Sequence, residues 1–151
     1  MIFEDYLAIK NLIHRYPQCT DKGDFEGVGK LLGDATMGEL DHEPAFLGDG
    51  AEAFTDIYAS VVRKFPERGT PRTRHFIGNV IIEDDGPDKA HAESYVIVFQ
   101  QTDDLPLQPI IGGTYFDRFA KVDGEWRFTH RTEDMELIGD LSEHLLRDMT
   151  A

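Results

Sequence analysis

The residues of this sequence that are best suited to proton transfer are an aspartate and a histidine lying far apart in the chain. Asp21 stands in a polar run after an amphipathic helix pattern, and His75 begins an alternating pattern typical of a strand. A carboxylate that hydrogen-bonds an imidazole fixes the tautomer of the ring and stabilises its protonated form. If the fold brings these two side chains together, they would form a His–Asp dyad able to remove a proton from a substrate.

Both residues also have a purely structural interpretation. A lone histidine on a strand is more often a core residue than a catalytic one, and Asp21 could cap the turn after the first helix. Asp24 is better placed for capping, because it directly precedes the apolar pattern of a second helix. The residues alone leave the catalytic and the structural interpretation open.

The metal-ligand types and the single cysteine carry weaker signals. Asp41, His42 and Glu43 have the side chains of metal ligands, but neighbouring residues of a strand point to opposite faces. Cys19 lies two residues before Asp21, yet no neighbouring base suggests that it acts as a nucleophile. The sequence therefore predicts no metal site and no cofactor.

Composition narrows the class of protein. The 151 residues are enough for one domain with a hydrophobic core, which we expect to span residues 1–151. A formal net charge of −14 repels phosphate backbones, so we expect no binding to nucleic acid. No apolar run approaches the roughly 20 residues that span a bilayer, and the acidic N-terminus does not resemble a secretory signal. We therefore expect a cytoplasmic protein without membrane contact.

The first half of the chain shows helical periodicity. Apolar residues recur at helical spacing over residues 3–16, and Pro17 is expected to end that helix. A second helix is predicted to follow Asp24, and a third is predicted over residues 50–65. The tail, residues 141–149, is predicted to form a short helix.

The second half of the chain changes to strand periodicity. Turn residues separate four predicted strands, and Asp123-Gly124 is a strong signal for a two-residue hairpin. The predicted strands are residues 72–83, 90–102, 109–121 and 125–137. Gly112 and Gly113 inside a strand fit a bulge and strong curvature. Together the patterns predict an α+β, cone-shaped roll: a curved, mostly antiparallel sheet packed on three N-terminal helices.

Three segments of the chain resemble a known family. The first is residues 20–22 and the second is residues 73–79. The third begins with the Ile-Ile-Gly-Gly-Thr-Tyr sequence at 110–115 and continues through the Asp-Gly-Glu-Trp turn at 123–126 to Arg131. The chain resembles the SnoaL-like family of the nuclear-transport-factor-two-like superfamily from about residue 4 to residue 137. Within that family it is most similar to the hexachlorocyclohexane dehydrochlorinase branch, and more loosely to the scytalone dehydratase branch.

The resemblance implies a site. In such enzymes a His–Asp dyad in a conical pocket removes a proton while a leaving group departs, so His75 matches the base and Asp21 its partner. Arg131 matches an arginine that faces the pocket. Tyr16 stands where the dehydrochlorinase has a lysine, and Met37 lies near the position of a pocket tryptophan. The resemblance therefore does not extend to dehydrochlorination, and Tyr16 could polarise a carbonyl or orient a water as in a dehydratase.

Strand alternation predicts which side chains share the face of the candidate site. On the strand of His75, the same face is expected to carry Ile77 and Asn79. We predict that the substrate contacts five side chains: Tyr16, Met37, Tyr95, Ile111 and Arg131.

Two classes of function fit these patterns. The first is a cofactor-independent lyase or isomerase that acts on a small hydrophobic, polycyclic or polyketide-like substrate, with elimination of water as the leading reaction. The second is a non-catalytic ligand-binding module, or the small subunit of a ring-hydroxylating dioxygenase, because fold does not determine function. A hydrogen bond between His75 and Asp21 inside a closed pocket would favour the enzyme.

Self-association is also expected. The strand that contains residues 95–99 is apolar on both faces, whereas a strand with one solvated face should alternate. Helices can cover only one face of the sheet, so we expect the other face to form a homodimer or homotrimer.

Overall fold

The computed structural model of the chain describes residues 1–38 and 50–146. Helical and extended elements follow one another in the order that the periodicity predicts. They are α1 (Phe3–Lys22), α2 (Phe25–Leu32), β1 (Thr36–Met37), α3 (Ala51–Val61), β2 (Thr73–Asp84), β3 (Lys89–Gln100), β4 (Gln108–Val122) and β5 (Glu125–Ile138). None of the described helices combines the length and the apolarity needed to cross a membrane.

The five strands form one sheet in the order β1-β5-β4-β3-β2. The four long strands pair antiparallel, and their bounds agree with the predicted strands to within a few residues. The two-residue strand β1, which the sequence pattern does not predict, pairs parallel with β5 and makes the sheet mixed. The predicted α+β class, with a curved and mostly antiparallel sheet on three helices, is confirmed.

Helix α1 continues through Pro17, contrary to the prediction that this residue ends it. A proline within a helix removes one backbone hydrogen bond, but the helix continues with Tyr16, Pro17 and Thr20 all buried. The hydroxyl of Thr20 donates to the carbonyl of Tyr16 at 3.2 Å. The helix ends at Gly23, whose left-handed φ of 71° suits glycine. Asp21 therefore lies in the last turn of α1 instead of in a loop after it.

The other helix predictions are met in part. Asp24 caps α2 as predicted, since its carboxylate accepts the backbone N–H of Gly27 at 2.9 Å. Helix α3 ends earlier than predicted, because Val62 turns extended and pairs with Leu145. The predicted C-terminal helix is not present over residues 141–146, which form a turn and a bridge instead. We call residues 141–146 the C-terminal segment.

Turn and bulge residues shape the sheet as the sequence indicates. Asp123 and Gly124 join β4 to β5 with φ values of 52° and 84°, the pair of positive angles that a type I′ hairpin requires. The β4–β5 register shifts next to Gly113. A Cβ atom on Gly113 would lie 2.2 Å from the carbonyl oxygen of Asp134, so only glycine allows this close approach.

A bulge in β2 corrects the expected face of Asn79. The register between β2 and β3 shifts between Gly78 and Ile81, and Asn79 has a left-handed φ of 49°. Alternation is therefore interrupted after Ile77, and Asn79 is exposed while Val80 packs towards the core. Asn79 consequently does not share the face of His75.

The two faces of the sheet differ in burial. On β3, Val96 and Val98 are buried in the core beneath the helices, whereas Tyr95 is 50% and Ile97 44% exposed. We call the helix-covered side, which carries Val96 and Val98, the inner face. The opposite side, which carries Tyr95, Ile97 and the exposed Phe76, is the outer face.

Candidate active site

The carboxylate of Asp21 is held by three donors from the first residues of β2. Its Oδ1 atom accepts the hydroxyl of Thr73 at 2.7 Å and lies 2.6 Å from Nδ1 of His75. Its Oδ2 atom accepts the backbone N–H of His75 at 2.9 Å. The last turn of α1 and the start of β2 thus bring together the two residues that the sequence analysis paired.

This arrangement determines the protonation of the pair. Burial raises the pKa of Asp21, but the hydrogen bonds and charge of His75 and the hydroxyl of Thr73 outweigh burial and hold that pKa below its usual value. Because an ionised carboxylate only accepts hydrogen bonds, Nδ1 of His75 carries the proton. The Nε2 atom then has a free lone pair, and no described residue hydrogen-bonds it. The ring is therefore arranged to accept a proton at Nε2.

Arg131 is fully buried at the centre of a second polar cluster. Its Nε and Nη2 atoms donate to the two oxygens of Asp117 at 2.7 and 2.8 Å. The ring centroids of Tyr16 and Tyr115 each lie 4.2 Å from the guanidinium carbon of Arg131, and the ring centroid of Phe128 lies 5.0 Å from it. Burial lowers the pKa of Arg131, but the charge and hydrogen bonds of Asp117 overcome this effect and raise it well above its usual value.

The packing of Arg131 limits the role predicted for it. Two of its three nitrogens are used by Asp117, and aromatic rings contact its guanidinium group. The third nitrogen of Arg131, Nη1, has no hydrogen-bond partner among the described residues. Arg131 therefore positions Tyr16 and Tyr115, and any contact with a substrate is restricted to Nη1. Asp117, its partner, is a residue that the sequence analysis did not identify.

Two tyrosines and a glutamate complete this cluster. The hydroxyl of Tyr16 donates to Oε1 of Glu133 at 3.0 Å and lies 2.5 Å from the hydroxyl of Tyr58. Burial raises the pKa of both phenols, so they stay protonated. Burial also raises the pKa of Glu133, and the opposing effects of Arg131 and Tyr16 do not cancel this. Tyr58 and Glu133 were not predicted as site residues, although alternation places Glu133 on the face of Arg131.

Two of the other predicted residues lie on the inner face. Met37 of β1 is half-buried and pairs with Arg131 in the parallel ladder. Ile111 lies opposite Val98, which in turn lies opposite His75. Because directly opposed residues share a face, Ile111 and His75 point to the same side of the sheet.

The position of Tyr95 contradicts its predicted contact with a substrate on the inner face. Its neighbour Val96 faces the core, so alternation turns Tyr95 to the outer face. The residues paired with it, Gly78 and Thr114, lie on that same side. Tyr95 is therefore separated from His75 by the sheet itself.

The C-terminal segment contributes a residue that the sequence analysis missed. His144 is buried, and its Nδ1 atom has no hydrogen-bond partner among the described residues. Burial and then the charge of His75 lower the pKa of His144 to about 4, although Asp21 opposes the shift. The segment is held by Gln100, whose side chain donates to the carbonyl of Glu143 at 3.1 Å. No local pattern signals this placement, because it depends on contacts distant in sequence.

The remaining candidates lie outside the site or show no activation. Among residues 1–38 and 50–146, no three His, Cys, Asp or Glu side chains are placed to hold a metal ion. The segment Asp41-His42-Glu43 lies outside the described residues. Cys19 is half-buried, and burial raises the pKa of its thiol, which disfavours the reactive thiolate.

Comparison with known proteins identifies the fold and the family. The model of the SnoaL-like domain matches residues 2–132, and no curated protein matches the chain. A proposed scytalone dehydratase from Novosphingobium aromaticivorans shares 24% identity with a TM-score of 0.67, over 90% of this chain and 87% of that one. A variant of Rv3472, a Mycobacterium tuberculosis protein of unknown function, shares 28% identity with a TM-score of 0.68, over 93% and 82%.

A third similar structure belongs to a protein of another class. The β subunit of a proposed aromatic-ring-hydroxylating dioxygenase from Novosphingobium aromaticivorans shares 23% identity with a TM-score of 0.64. The match covers 87% of this chain and 89% of that subunit. At this level of identity the likeness shows the fold, which both classes of protein share.

Proposed function

Because the chain belongs to the SnoaL-like domain family, we propose that it is a cofactor-independent lyase or isomerase in which His75 and Asp21 transfer a proton. The observation that carries this proposal is the 2.6 Å contact between Asp21 and Nδ1 of His75, which leaves Nε2 free. A ring held in this tautomer by an ionised carboxylate is suited to act as a general base.

Elimination of water is the reaction that this site supports best. The Nε2 atom of His75 would take a proton from a carbon next to a carbonyl group, while a hydroxyl group leaves the neighbouring carbon. General base catalysis of this kind contributes roughly 10²–10⁴-fold. The aromatic residues of the inner face favour a small hydrophobic, polycyclic or polyketide-like substrate. Isomerisation or cyclisation of such a substrate would use the same proton transfer.

The test is turnover of a panel of hydroxylated aromatic ketones by the wild-type protein and two variants. We expect His75→Ala to lower kcat by roughly 10²–10⁴-fold, because it removes the base. Asp21→Asn should also lower kcat, since an amide stabilises the imidazolium poorly and permits the wrong tautomer. The losses in kcat caused by the two substitutions should not be additive, because both substitutions disable the same His–Asp dyad.

A matched control separates catalysis from folding. His91→Ala removes a histidine that lies exposed on β3 between Asp85 and Glu83, and it should leave kcat unchanged. Circular dichroism should show that every variant folds. Full turnover by His75→Ala would overturn the enzyme proposal and favour a binding module.

A partner-binding role is the second candidate, and the outer face is the observation that favours it. Phe76, Tyr95 and Ile97 expose large apolar side chains on neighbouring strands. Surfaces of this kind often contact another chain. In a dioxygenase small subunit these side chains would contact the large subunit, and the His75–Asp21 contact would be structural.

We assign the protein to the cytoplasm, because its one cysteine does not require an oxidising compartment.

The same surface supports self-association as a homodimer or homotrimer. Light scattering at micromolar concentration should give two or three times the mass of one chain. Ile97→Lys should shift the protein towards the monomer, because burying an unpaired charge in an interface is costly. Leu7→Lys, on the exposed side of α1, should leave the mass unchanged. A monomeric wild-type protein at this concentration would contradict the prediction.

A further inference from the structure

Within residues 1–38 and 50–146, no Lys, Arg or His side chain forms an ion pair with Glu133, although Arg131 lies two residues away on the same strand. Arg131 uses two nitrogens for a bidentate pair with Asp117, and both of these side chains are fully buried. In a bidentate pair the charges of guanidinium and carboxylate largely offset each other. The charge of Asp117 therefore opposes, without cancelling, the effect of the Arg131 charge on the pKa of Glu133.

The titratable side chains that face Glu133 come from five elements of the fold. They are Tyr16 of α1, Tyr58 of α3, His75 of β2, Tyr115 and Asp117 of β4, and Arg131 of β5. Burial and the charge of Asp117 disfavour ionisation of Glu133, while Arg131, Tyr16 and His75 favour it. The first group prevails, so the pKa of Glu133 lies above its usual value.

The hydrogen bonding of Glu133 is compatible with a protonated carboxyl group. Its Oε1 atom accepts the hydroxyl of Tyr16 at 3.0 Å, as a carbonyl oxygen can. Its Oε2 atom hydrogen-bonds no described residue, and this atom is not among the fully buried unpaired polar atoms of the described residues. A proton on Oε2 would therefore be available to a bound molecule.

We propose that Glu133 is the general acid of the reaction, giving the proton on Oε2 to the departing hydroxyl group while Nε2 of His75 takes a proton from carbon. This inference rests on the proposed function and names the substrate class as a β-hydroxy carbonyl compound. The sequence analysis assigned no acid for the leaving group.

The two proton carriers are attached to the same helix. His75 bonds Asp21, and Glu133 bonds Tyr16, five residues earlier on α1. Five residues of α-helix span roughly 7.5 Å along the axis. In a β-hydroxy carbonyl compound the acidic C–H and the leaving C–O bonds are on adjacent carbons. The residues of α1 that hold the base and the acid are separated by about this distance along the axis, and the proposal places the substrate between the two groups that they hold.

The step balances in protons and electrons. His75 accepts the proton from the carbon next to the carbonyl group, and the C–H electron pair becomes the new C=C bond. The C–O bond breaks with its electron pair on oxygen, which takes the proton of Glu133 and leaves as water. The enzyme is left with a protonated His75 and an ionised Glu133. Transfer of one proton from His75 to Glu133 through solvent restores the starting state.

The test compares two leaving groups on one aromatic ketone. One probe carries a β-hydroxyl group, and the other carries a β-(4-nitrophenoxy) group, which departs as a stable anion without protonation. Glu133→Gln should lower kcat roughly 10²–10⁴-fold for the hydroxyl probe. It should change kcat much less for the nitrophenoxy probe. His75→Ala should lower both, because both reactions need the base.

Matched variants separate the acid from the packing of the cluster. Glu133→Gln keeps the shape of the side chain and an oxygen that accepts from Tyr16. Glu136→Gln, an exposed carboxylate on the same strand, should leave both rates unchanged. Activity on the hydroxyl probe should fall at high pH as Glu133 ionises, and this fall should be absent from the nitrophenoxy probe. Glu133→Asp should recover part of the rate on the hydroxyl probe.

The outcomes distinguish this inference from the function on which it rests. Equal loss on both probes in Glu133→Gln would overturn the acid role, while inactivity of His75→Ala would still support the base. Full turnover by His75→Ala would overturn both. An infrared measurement needs no substrate: in the wild-type protein the band of one protonated carboxyl group should persist at a pH above the usual pKa of glutamate, which is about 4.3. That band should disappear in Glu133→Gln, and its absence from the wild-type protein would overturn the proposal.

Discussion

Asp21 and Glu133 are two carboxyl groups close to the inner face of one sheet, yet their surroundings shift their pKa values in opposite directions. Asp21 accepts three hydrogen bonds from Thr73 and His75, and its pKa is lowered in spite of burial. From the residues that the structure describes, Glu133 accepts one hydrogen bond, donated by Tyr16, and burial raises its pKa. The protonation of these groups is thus governed by the donors and cations available to each.

This difference teaches how one face of a sheet can offer both a base and an acid. A carboxylate that stays ionised orients and stabilises an imidazole, while a carboxyl group that stays protonated can donate. The separation depends on Asp117, because it occupies the arginine that would otherwise ionise Glu133. A substitution that removes a donor or a cation near one of these two carboxyl groups should therefore shift the pKa of that group more than the pKa of the other.

The largest expected effect on stability comes from removing Arg131. Arg131→Met leaves the carboxylate of Asp117 buried and unpaired, so the free energy of unfolding should fall by about 3–5 kcal/mol. Urea unfolding at neutral pH measures this loss. The substitution also removes the nearest cation from Glu133, so the infrared band of its protonated carboxyl group should persist to higher pH than in the wild-type protein.

A double substitution provides the control. Arg131→Met combined with Asp117→Leu removes both charges and should recover most of the lost stability, because no buried charge is left unpaired. A loss below about 1 kcal/mol in Arg131→Met alone would show that Asp117 finds another partner or is reached by water.

The next largest effect on stability concerns His144, which lies near His75 and Asp21. Its folded pKa of about 4 is below the unfolded value of about 6.5, so the unfolded chain binds more protons between these limits. The stability contributed by neutral His144 is therefore complete above pH 6.5 and is lost as pH falls towards 4. We expect a loss of roughly 2–3 kcal/mol at pH 4.5, measured by urea unfolding against pH.

His144→Leu should remove this part of the pH dependence, because leucine does not titrate. His91 gives a control of opposite sign: hydrogen bonding to Asp85 raises its pKa, so its contribution is present at low pH and is lost as pH rises. An unchanged acid slope in His144→Leu would show that the C-terminal segment opens before His144 is protonated.

The smallest effect tests the comparison itself. Asp21 has a lowered pKa, so its contribution to stability is present above its unfolded value near 3.8 and is lost as pH falls. Asp21→Asn should therefore lower the free energy of unfolding by about 2 kcal/mol at pH 7 and by less in acid.

Glu133 has a raised pKa, so its contribution to stability is present below about pH 4.5 and is lost as pH rises. Glu133→Gln should thus gain stability relative to the wild-type protein as pH rises.

Urea unfolding of both variants between pH 3 and pH 8 provides the measurement. Opposite slopes of the stability difference against pH would support the assignment of one ionised and one protonated carboxyl group. Parallel slopes would contradict it, because they would mean that both groups are ionised, or both protonated, in the folded protein.

Local patterns in the sequence predicted most of the fold. The change from helical to strand periodicity near residue 70 gave the order of elements, and Asp123-Gly124 gave the hairpin between β4 and β5. Pro17 was misinterpreted, because buried packing of α1 outweighs the cost of one lost hydrogen bond. The contact between Asp21 and His75 followed from the family resemblance, since the intervening chain carries no local signal for it.

The sequence predicted Tyr16 and Arg131 of the second cluster but not the pairing of Arg131 with Asp117, and the reason is one residue in β5. Counting outward from the turn at 123–124 places Arg131 opposite Phe116. A bulge at Thr129 shifts the register, and Asp117 becomes the partner of Arg131. Bulges depend on how the whole sheet curves around the helices, so the hairpin sequence does not reveal them.

What the sequence determined by itself is therefore the class of fold, the family and the charge of the chain. Periodicity and turn residues act over a few neighbouring positions, and net charge is a simple count. Only the tertiary structure decided in which direction the pKa of each carboxyl group shifts, which arginine is already paired, and that His144 lies near the dyad. These properties depend on burial and on donors from elements distant in sequence, and folding alone brings those elements together.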